Sequence, residues 1–190
     1  MPDAYCLMPH RQIQICSVPA YSSAQRHILF AGDIMKIRWK SLLLALAIPL
    51  AVGAVAALLT GGAMEAFSRL NQPPLSPPGW LFPVVWTILY ALMGVASYLV
   101  WVSDCPPEKK RAALSFYAAQ LFFNFFWSIL FFSWQLFLLA FFWLLALWLL
   151  MLTTAVLFSR CRKAAGWLFA PYLLWVAFAG YLNLAIYFLN

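Results

Sequence analysis

Charge placement constrains this chain of 190 residues more than any other feature. Downstream of Lys40, charged side chains gather in short clusters separated by apolar, uncharged runs at 41–64, 70–103, 112–159 and 164–190. An ionised side chain at the centre of a bilayer costs roughly 2.5–3.5 kcal/mol on insertion scales, so this spacing suits lipid and not a water-soluble core. A helix crossing the hydrocarbon needs about 20 apolar residues. On that measure the chain holds five spans, at 42–62, 80–102, 112–132, 135–158 and 165–188. The run 112–159 holds two of them, joined at the polar turn Ser133-Trp134-Gln135. The expected fold class is an all-α integral membrane protein, a five-transmembrane-helix bundle forming one domain over 35–190. A hydrophobic content of 66% agrees, since soluble proteins hold about 45–50%.

The net charge of +7 does not point to nucleic acid, because the basic residues alternate along the chain. Lys36, Arg38 and Lys40 precede the first span, Lys109-Lys110-Arg111 lie between the second and third, and Arg160, Arg162 and Lys163 between the fourth and fifth. The intervening loops carry only Arg69, offset by Glu65. This is the positive-inside pattern. It places the N-terminus in the cytoplasm and the C-terminus outside, in a bacterial cytoplasmic membrane, since outer membranes favour β-barrels. The lipid bilayer is the first partner, and contact with anionic lipid is a secondary role for these cations.

No Asp, Glu, Lys, Arg or His lies deep in a span, so proton relays and carboxylate catalysis lack their usual parts. From Met35 onward there is no histidine, which excludes a His-ligated metal or haem site in the bundle. The four cysteines do not read as a disulfide framework. Cys6 and Cys16 lie in the first 34 residues, Cys105 and Cys161 in loops assigned to the reducing side, and there is no C-x-x-C. Residues 1–34 are mixed and polar, without helical periodicity or a secretory signal core. They read as a disordered tail or as an upstream extension ahead of a start at Met35. The first span resembles a signal peptide at Ala54-Val55-Ala56, but its apolar run continues to Leu59 and reads better as a membrane helix.

Aromatic and polar side chains carry the functional information. Of ten tryptophans, Trp39, Trp80, Trp101, Trp134 and Trp167 lie at span ends, where amphipathic rings anchor at headgroup depth. Trp86, Trp127, Trp143, Trp148 and Trp175 lie inside spans, and each buried indole N–H there needs an acceptor. Gln120, Asn124 and Trp127 share one face of the third helix. Asn183 follows Trp175 by eight residues on the fifth, and Thr87 and Tyr90 follow Trp86 on the second. Such residues serve packing, or they wall a pocket for a flat, largely apolar ligand; composition alone favours packing. The loop 63–79 contains Pro73, Pro74, Pro77 and Pro78 and is stiff, either a lid over one end or a plain connector.

Three stretches carry a resemblance. The second helix reads Pro77-Pro78-x-Trp80-x-Phe82-x-x-x-Trp86-Thr87-x-Leu89-Tyr90-x-x-Met93-Gly94. The third reads Gln120-Leu121-x-x-Asn124-x-x-Trp127-Ser128 followed by Phe131-Phe132, and the fifth reads Pro171-Tyr172-Leu173-x-Trp175-x-x-Phe178-Ala179-x-x-Leu182-Asn183. In these the chain resembles the TspO/MBR family of tryptophan-rich sensory proteins and translocator proteins, over residues 42–190. The resemblance implies a five-helix bundle, often a homodimer, with a pocket under the first loop. Family members bind porphyrins, sterols and synthetic benzodiazepine- or isoquinoline-type ligands, and some bacterial members degrade protoporphyrin IX in a light- and oxygen-dependent reaction. By position, Trp86 and Trp175 match the pocket tryptophans of that reaction, Asn124 a polar ligand contact, and Ala179 and Leu182 pocket-lining or sterol-face positions.

The chain also departs from the family pattern. The loop usually reads Tyr-x-x-Leu-x-Lys-Pro-x-Trp-x-Pro-Pro, and here it is Phe67-x-x-Leu70-x-Gln72-Pro73-x-Leu75-x-Pro77-Pro78, with the phenol, the cation and the indole gone. Pro83 stands one place earlier than the family's proline, and no Lys or Arg follows Tyr187, so sterol affinity is not carried over.

The function expected is a membrane-embedded binding and sensory protein for porphyrin-type tetrapyrroles and similar flat ligands. The ligand would be porphyrin, with no cofactor required and no metal. The expected ligand-binding residues are Trp86, Tyr90, Asn124, Trp127, Trp175, Ala179, Leu182 and Asn183, under a lid containing Phe67, Pro77 and Pro78. The alternatives are a porphyrin-photodegrading enzyme using Trp86 and Trp175 as catalytic electron donors, or a tetrapyrrole or lipid transporter, for which no inverted repeat is visible. Small-xxx-small pairs at Ala47/Ala51 and Gly53/Ala57 permit a homodimer.

Overall fold

The computed structural model describes residues 37–63, 67 and 69–190. The expectation for 1–34 lies outside them, as do parts of the loop after the first span. Among the described residues, five helices are long and apolar enough to cross a membrane: Trp39–Thr60, Leu81–Trp101, Pro107–Ser133, Phe137–Cys161 and Lys163–Leu189. All described regular structure is helical.

We number the helices α1 (Trp39–Thr60), α2 (Leu81–Trp101), α3 (Pro107–Ser128), α4 (Phe137–Cys161), α5 (Lys163–Trp167) and α6 (Ala170–Leu189). α3 runs on through a π-helical turn at Ile129–Ser133, and α5 with α6 makes up the fifth span. Boundaries differ from the sequence reading chiefly at α3, which starts at Pro107 and not at 112. Proline has no N–H to leave unbonded at a helix start, and Glu108 in the first turn faces the positive end of the helix dipole. The charged turn therefore belongs to the helix while staying outside the apolar span.

Tertiary contacts bring Arg38 and Lys40 to the same end as the other two basic clusters. The Arg38 backbone N–H donates to the Tyr98 hydroxyl at 3.0 Å, joining the start of α1 to the end of α2. Lys110 Nζ donates to the carbonyls of Trp101 and Ser103, both at 2.9 Å. Cys105 and Cys161 form a disulfide, with Cα atoms 5.1 Å apart. This corrects the reading of the cysteines as unpaired: 56 residues separate them, and only the antiparallel return of α3 and α4 makes them neighbours. The interfacial residues Trp39, Trp80, Trp101, Trp134 and Trp167 are exposed at helix ends, as expected.

Packing of α1 on α2 turns on two glycines. Pro49 removes the N–H that would have bonded the Ala45 carbonyl, and that oxygen lies against Gly94, where an added Cβ would come within 2.8 Å of it. Gly53 faces the Tyr90 ring, 2.3 Å from an added Cβ. Gly53 thus serves contact within the protomer, so Gly53 and Ala57 do not make one outward face; Ala47 and Ala51 are exposed. By contrast α2 and α6 make almost no close backbone approach, while α1 with α2, α3 with α4, and α4 with α6 pack closely. Aromatic side chains of α2 and α6 meet across the space between them, Phe82 with Trp175 and Trp86 with Tyr172.

Candidate functional site

Trp86 on α2 is half-buried, with its ring centroid 5.7 Å from Tyr90, 5.9 Å from Trp127 and 6.0 Å from Tyr172. One turn toward the loop end, Phe82 meets Trp175 of α6 edge-on at 6.1 Å. Trp127 stacks on Phe131 at 5.4 Å, and Phe67 packs against Phe82, Phe131 and Phe132 at 5.5–6.2 Å. Phe67 thereby packs the loop that carries it against the wall. Pro77 is half-buried and Pro78 exposed.

Polar groups converge behind the rings. Asn124 is fully buried and takes a hydrogen bond from the Tyr90 hydroxyl at 2.8 Å. Its amide donates to the Tyr172 hydroxyl, which donates to Gln120 Oε1 at 3.3 Å. One amide therefore links α2, α3 and α6. Trp127 Nε1 donates to Asn183 Oδ1 at 3.4 Å, and Asn183 Nδ2 to the Phe137 carbonyl at 2.8 Å. Trp143 and Trp148 donate to the carbonyls of Phe123 and Leu173 at 2.8 and 3.1 Å. Trp175 differs. Its indole Nε1 is buried and has no hydrogen-bond partner, and an unmet donor in such surroundings costs about 1–3 kcal/mol.

Ala179, Leu182 and Asn183 are buried along α6 on the side that continues from Tyr172 and Val176. Thr87 is exposed and returns its hydroxyl to the Pro83 carbonyl at 2.7 Å, so it stands outside the cluster. Phe82, Phe131 and Tyr172 belong to the wall and were absent from the expected set. Tyr172 was recoverable, since 172, 175, 179 and 182 follow helical spacing.

The loop is fastened at a place the sequence does not announce. The Asn71 backbone N–H donates to Asn190 Oδ1 at 2.9 Å, Asn71 Nδ2 to the Leu189 carbonyl at 3.2 Å, and Asn190 Nδ2 back to the Asn71 carbonyl at 3.3 Å. Tyr181 adds a bond from its hydroxyl to the Pro74 carbonyl at 3.0 Å. Leu75 is exposed with φ of 72°.

Among the described residues, no group of His, Cys, Asp or Glu is placed to hold a metal ion. What the cluster presents is ring faces, one unmet N–H donor and a relay of amide and phenol groups.

Comparison with known proteins agrees with this architecture. The model of the TspO/MBR family matches residues 45–189. The chain belongs to the TspO/MBR family. It is 37% identical to the tryptophan-rich protein TspO of Chlorobaculum tepidum over 151 residues, covering 79% of this chain and 96% of that protein. It is 36% identical to protein CrtK of Rhodobacter capsulatus over 138 residues, 73% of this chain and 85% of that one. It is 34% identical to the translocator protein of Bos taurus over 124 residues, 65% of this chain and 73% of that one. The TspO/MBR match takes in nearly the whole bundle, including every residue of the aromatic wall.

Proposed function

We propose that this protein is a membrane-embedded receptor for porphyrin-type tetrapyrroles and similar flat apolar ligands, held between α2 and α6 beneath the loop 63–79. The observation that carries the reading is the N–H of the half-buried Trp175 indole, itself buried without an acceptor beside a wall of aromatic rings. A macrocycle with polar edge atoms supplies both missing partners: a face for Trp86 and Trp175 to stack on, and an acceptor for Nε1–H. Asn124, already shared by Tyr90 and Tyr172, orients the guest's polar edge. The helices lie in a bacterial cytoplasmic membrane, and the protein works as a homodimer. Titrating protoporphyrin IX into purified protein and following tryptophan quenching tests this. Trp86→Leu and Trp175→Leu should each raise Kd about 2–10-fold, the loss of one aromatic stack of roughly 0.5–1.5 kcal/mol. Equal Kd values in all three proteins would refute the assignment.

A second reading, degradation of the bound porphyrin by light and oxygen, is favoured by the three oxidisable rings within 6.0 Å of Trp86. Loss of the porphyrin absorption band on illumination in air, but not under argon, would separate it from binding alone.

A further inference from the structure

A hollow lies at the basic end, away from the aromatic wall. A cleft of about 360 Å³ opens between α1, α2 and α3, lined by apolar side chains together with the half-buried Ser41 and the buried Ser97 and Tyr117. Leu44, Ile48 and Trp101 border it and are exposed, so it opens sideways, where lipid tails lie. Tyr117 is only 6% exposed, and its hydroxyl has no hydrogen-bond partner. Ser97 lies within interaction range of it. The Ser97 hydroxyl, however, donates to the Gly94 carbonyl at 2.9 Å and makes no bond of ordinary geometry to the phenol. A buried hydroxyl at an apolar cleft therefore waits for an acceptor.

A neighbouring hollow of about 480 Å³ shares Trp101, Leu114 and Ala118 with the first and is also lined by Lys110 and Arg111. Lys110 is held in place by the two carbonyls of Trp101 and Ser103, which use two of its three ammonium protons. Arg111 is exposed and makes no ion pair among the described residues. Apolar cleft, unmet hydroxyl and paired cations thus form one continuous track. Six residues separate Arg111 from Tyr117 on α3, a rise of about 9 Å.

We propose that this track binds an anionic phospholipid. Its phosphate lies on Lys110 and Arg111, an ester carbonyl accepts from the Tyr117 hydroxyl, and one acyl chain fills the cleft between α1, α2 and α3. The order of the protein groups follows the order of the lipid's own: anion, then carbonyl, then hydrocarbon. A zwitterionic lipid lacks the net charge, and a free fatty acid has no carbonyl set below its anion for Tyr117.

Native mass spectrometry of the purified full chain, titrated with phosphatidylglycerol, phosphatidylcholine and oleate, tests the proposal. Phosphatidylglycerol should bind at least five-fold more tightly than either competitor. Arg111→Gln should weaken it about five-fold, the factor that about 1 kcal/mol per basic residue represents. Ala118→Trp, at an exposed position on the shared wall, should abolish the first retained lipid, and Tyr117→Phe should weaken it 2–5-fold. Arg111 lies outside the packed interior, so that variant keeps the test valid if Ala118→Trp fails to fold. Equal binding of the three amphiphiles, preference for oleate, or wild-type phosphatidylglycerol binding by Arg111→Gln would each overturn the proposal.

Discussion

Replacing Asn124 with leucine isolates the hydrogen bonds that join three helices, because the two side chains have similar volume and little cavity is opened. Asn124 is fully buried, accepts from Tyr90 at 2.8 Å and donates to the Tyr172 hydroxyl. Interhelical bonds of this kind average about 0.6 kcal/mol and reach about 1.7. The larger effect is the Tyr90 hydroxyl left behind: Tyr90 is 6% exposed, and a buried donor without an acceptor costs about 1–3 kcal/mol. The expected loss is about 2–4 kcal/mol. At roughly 2–4 °C per kcal/mol for a domain of this size, Tm should fall by about 5–15 °C. Tyr90→Phe alone should cost about 1 kcal/mol, and combined with Asn124→Leu it removes the stranded donor. The double variant should therefore be about 1–2 kcal/mol more stable than the sum of the single losses implies. Thermal unfolding in micelles, followed by tryptophan fluorescence, measures all four proteins. Additive losses, or an Asn124→Leu protein as stable as wild type, would refute the claim that this amide organises the interior.

Three further outcomes are expected. Gly94→Ala should cost about 1–3 kcal/mol by overpacking, since the new methyl meets the backbone of Ala45 and Leu46 at 2.8 Å; the same melting assay reads it. Cys105→Ser should lower Tm under oxidising conditions only, by an amount bounded at about 4 kcal/mol for closing a loop of this length, and wild type with reductant should match it. Asn71→Ala combined with Asn190→Ala should leave Tm within about 2 °C yet speed proteolysis in the loop 63–79 and raise the porphyrin off-rate, because together they remove all three bonds between Asn71 and the C-terminal Leu189 and Asn190 without touching the aromatic wall.

Much of this fold was legible because lipid imposes a strong rule on sequence. Charges at Lys40, Lys109–Arg111 and Arg160–Lys163 mark where helices leave the membrane, and the runs between them have no other use for their apolarity. The shared face of Gln120, Asn124 and Trp127 followed from helical spacing alone, and all three are buried. What sequence could not give was which faces meet. Gly53 looked like an outward small-residue face and instead receives the Tyr90 ring. Cys105 and Cys161 become partners only through the antiparallel return of two helices. The fastening of Asn71 to Asn190 joins residues 119 apart through polar side chains of no distinctive pattern. Tyr172 stood in a motif already noted, but its place in the hydrogen-bond relay needs the register of α6 against α3.

The most direct test of the proposed site is the Trp175 indole proton itself. In protein labelled with 15N-tryptophan, addition of protoporphyrin IX should move the Trp175 Nε1–H resonance downfield as it gains an acceptor. Trp143 and Trp148, already bonded to the Phe123 and Leu173 carbonyls, should stay in place. A Trp175 signal that holds still while the porphyrin binds, or a shift confined to the exposed Trp134 and Trp167, would contradict it.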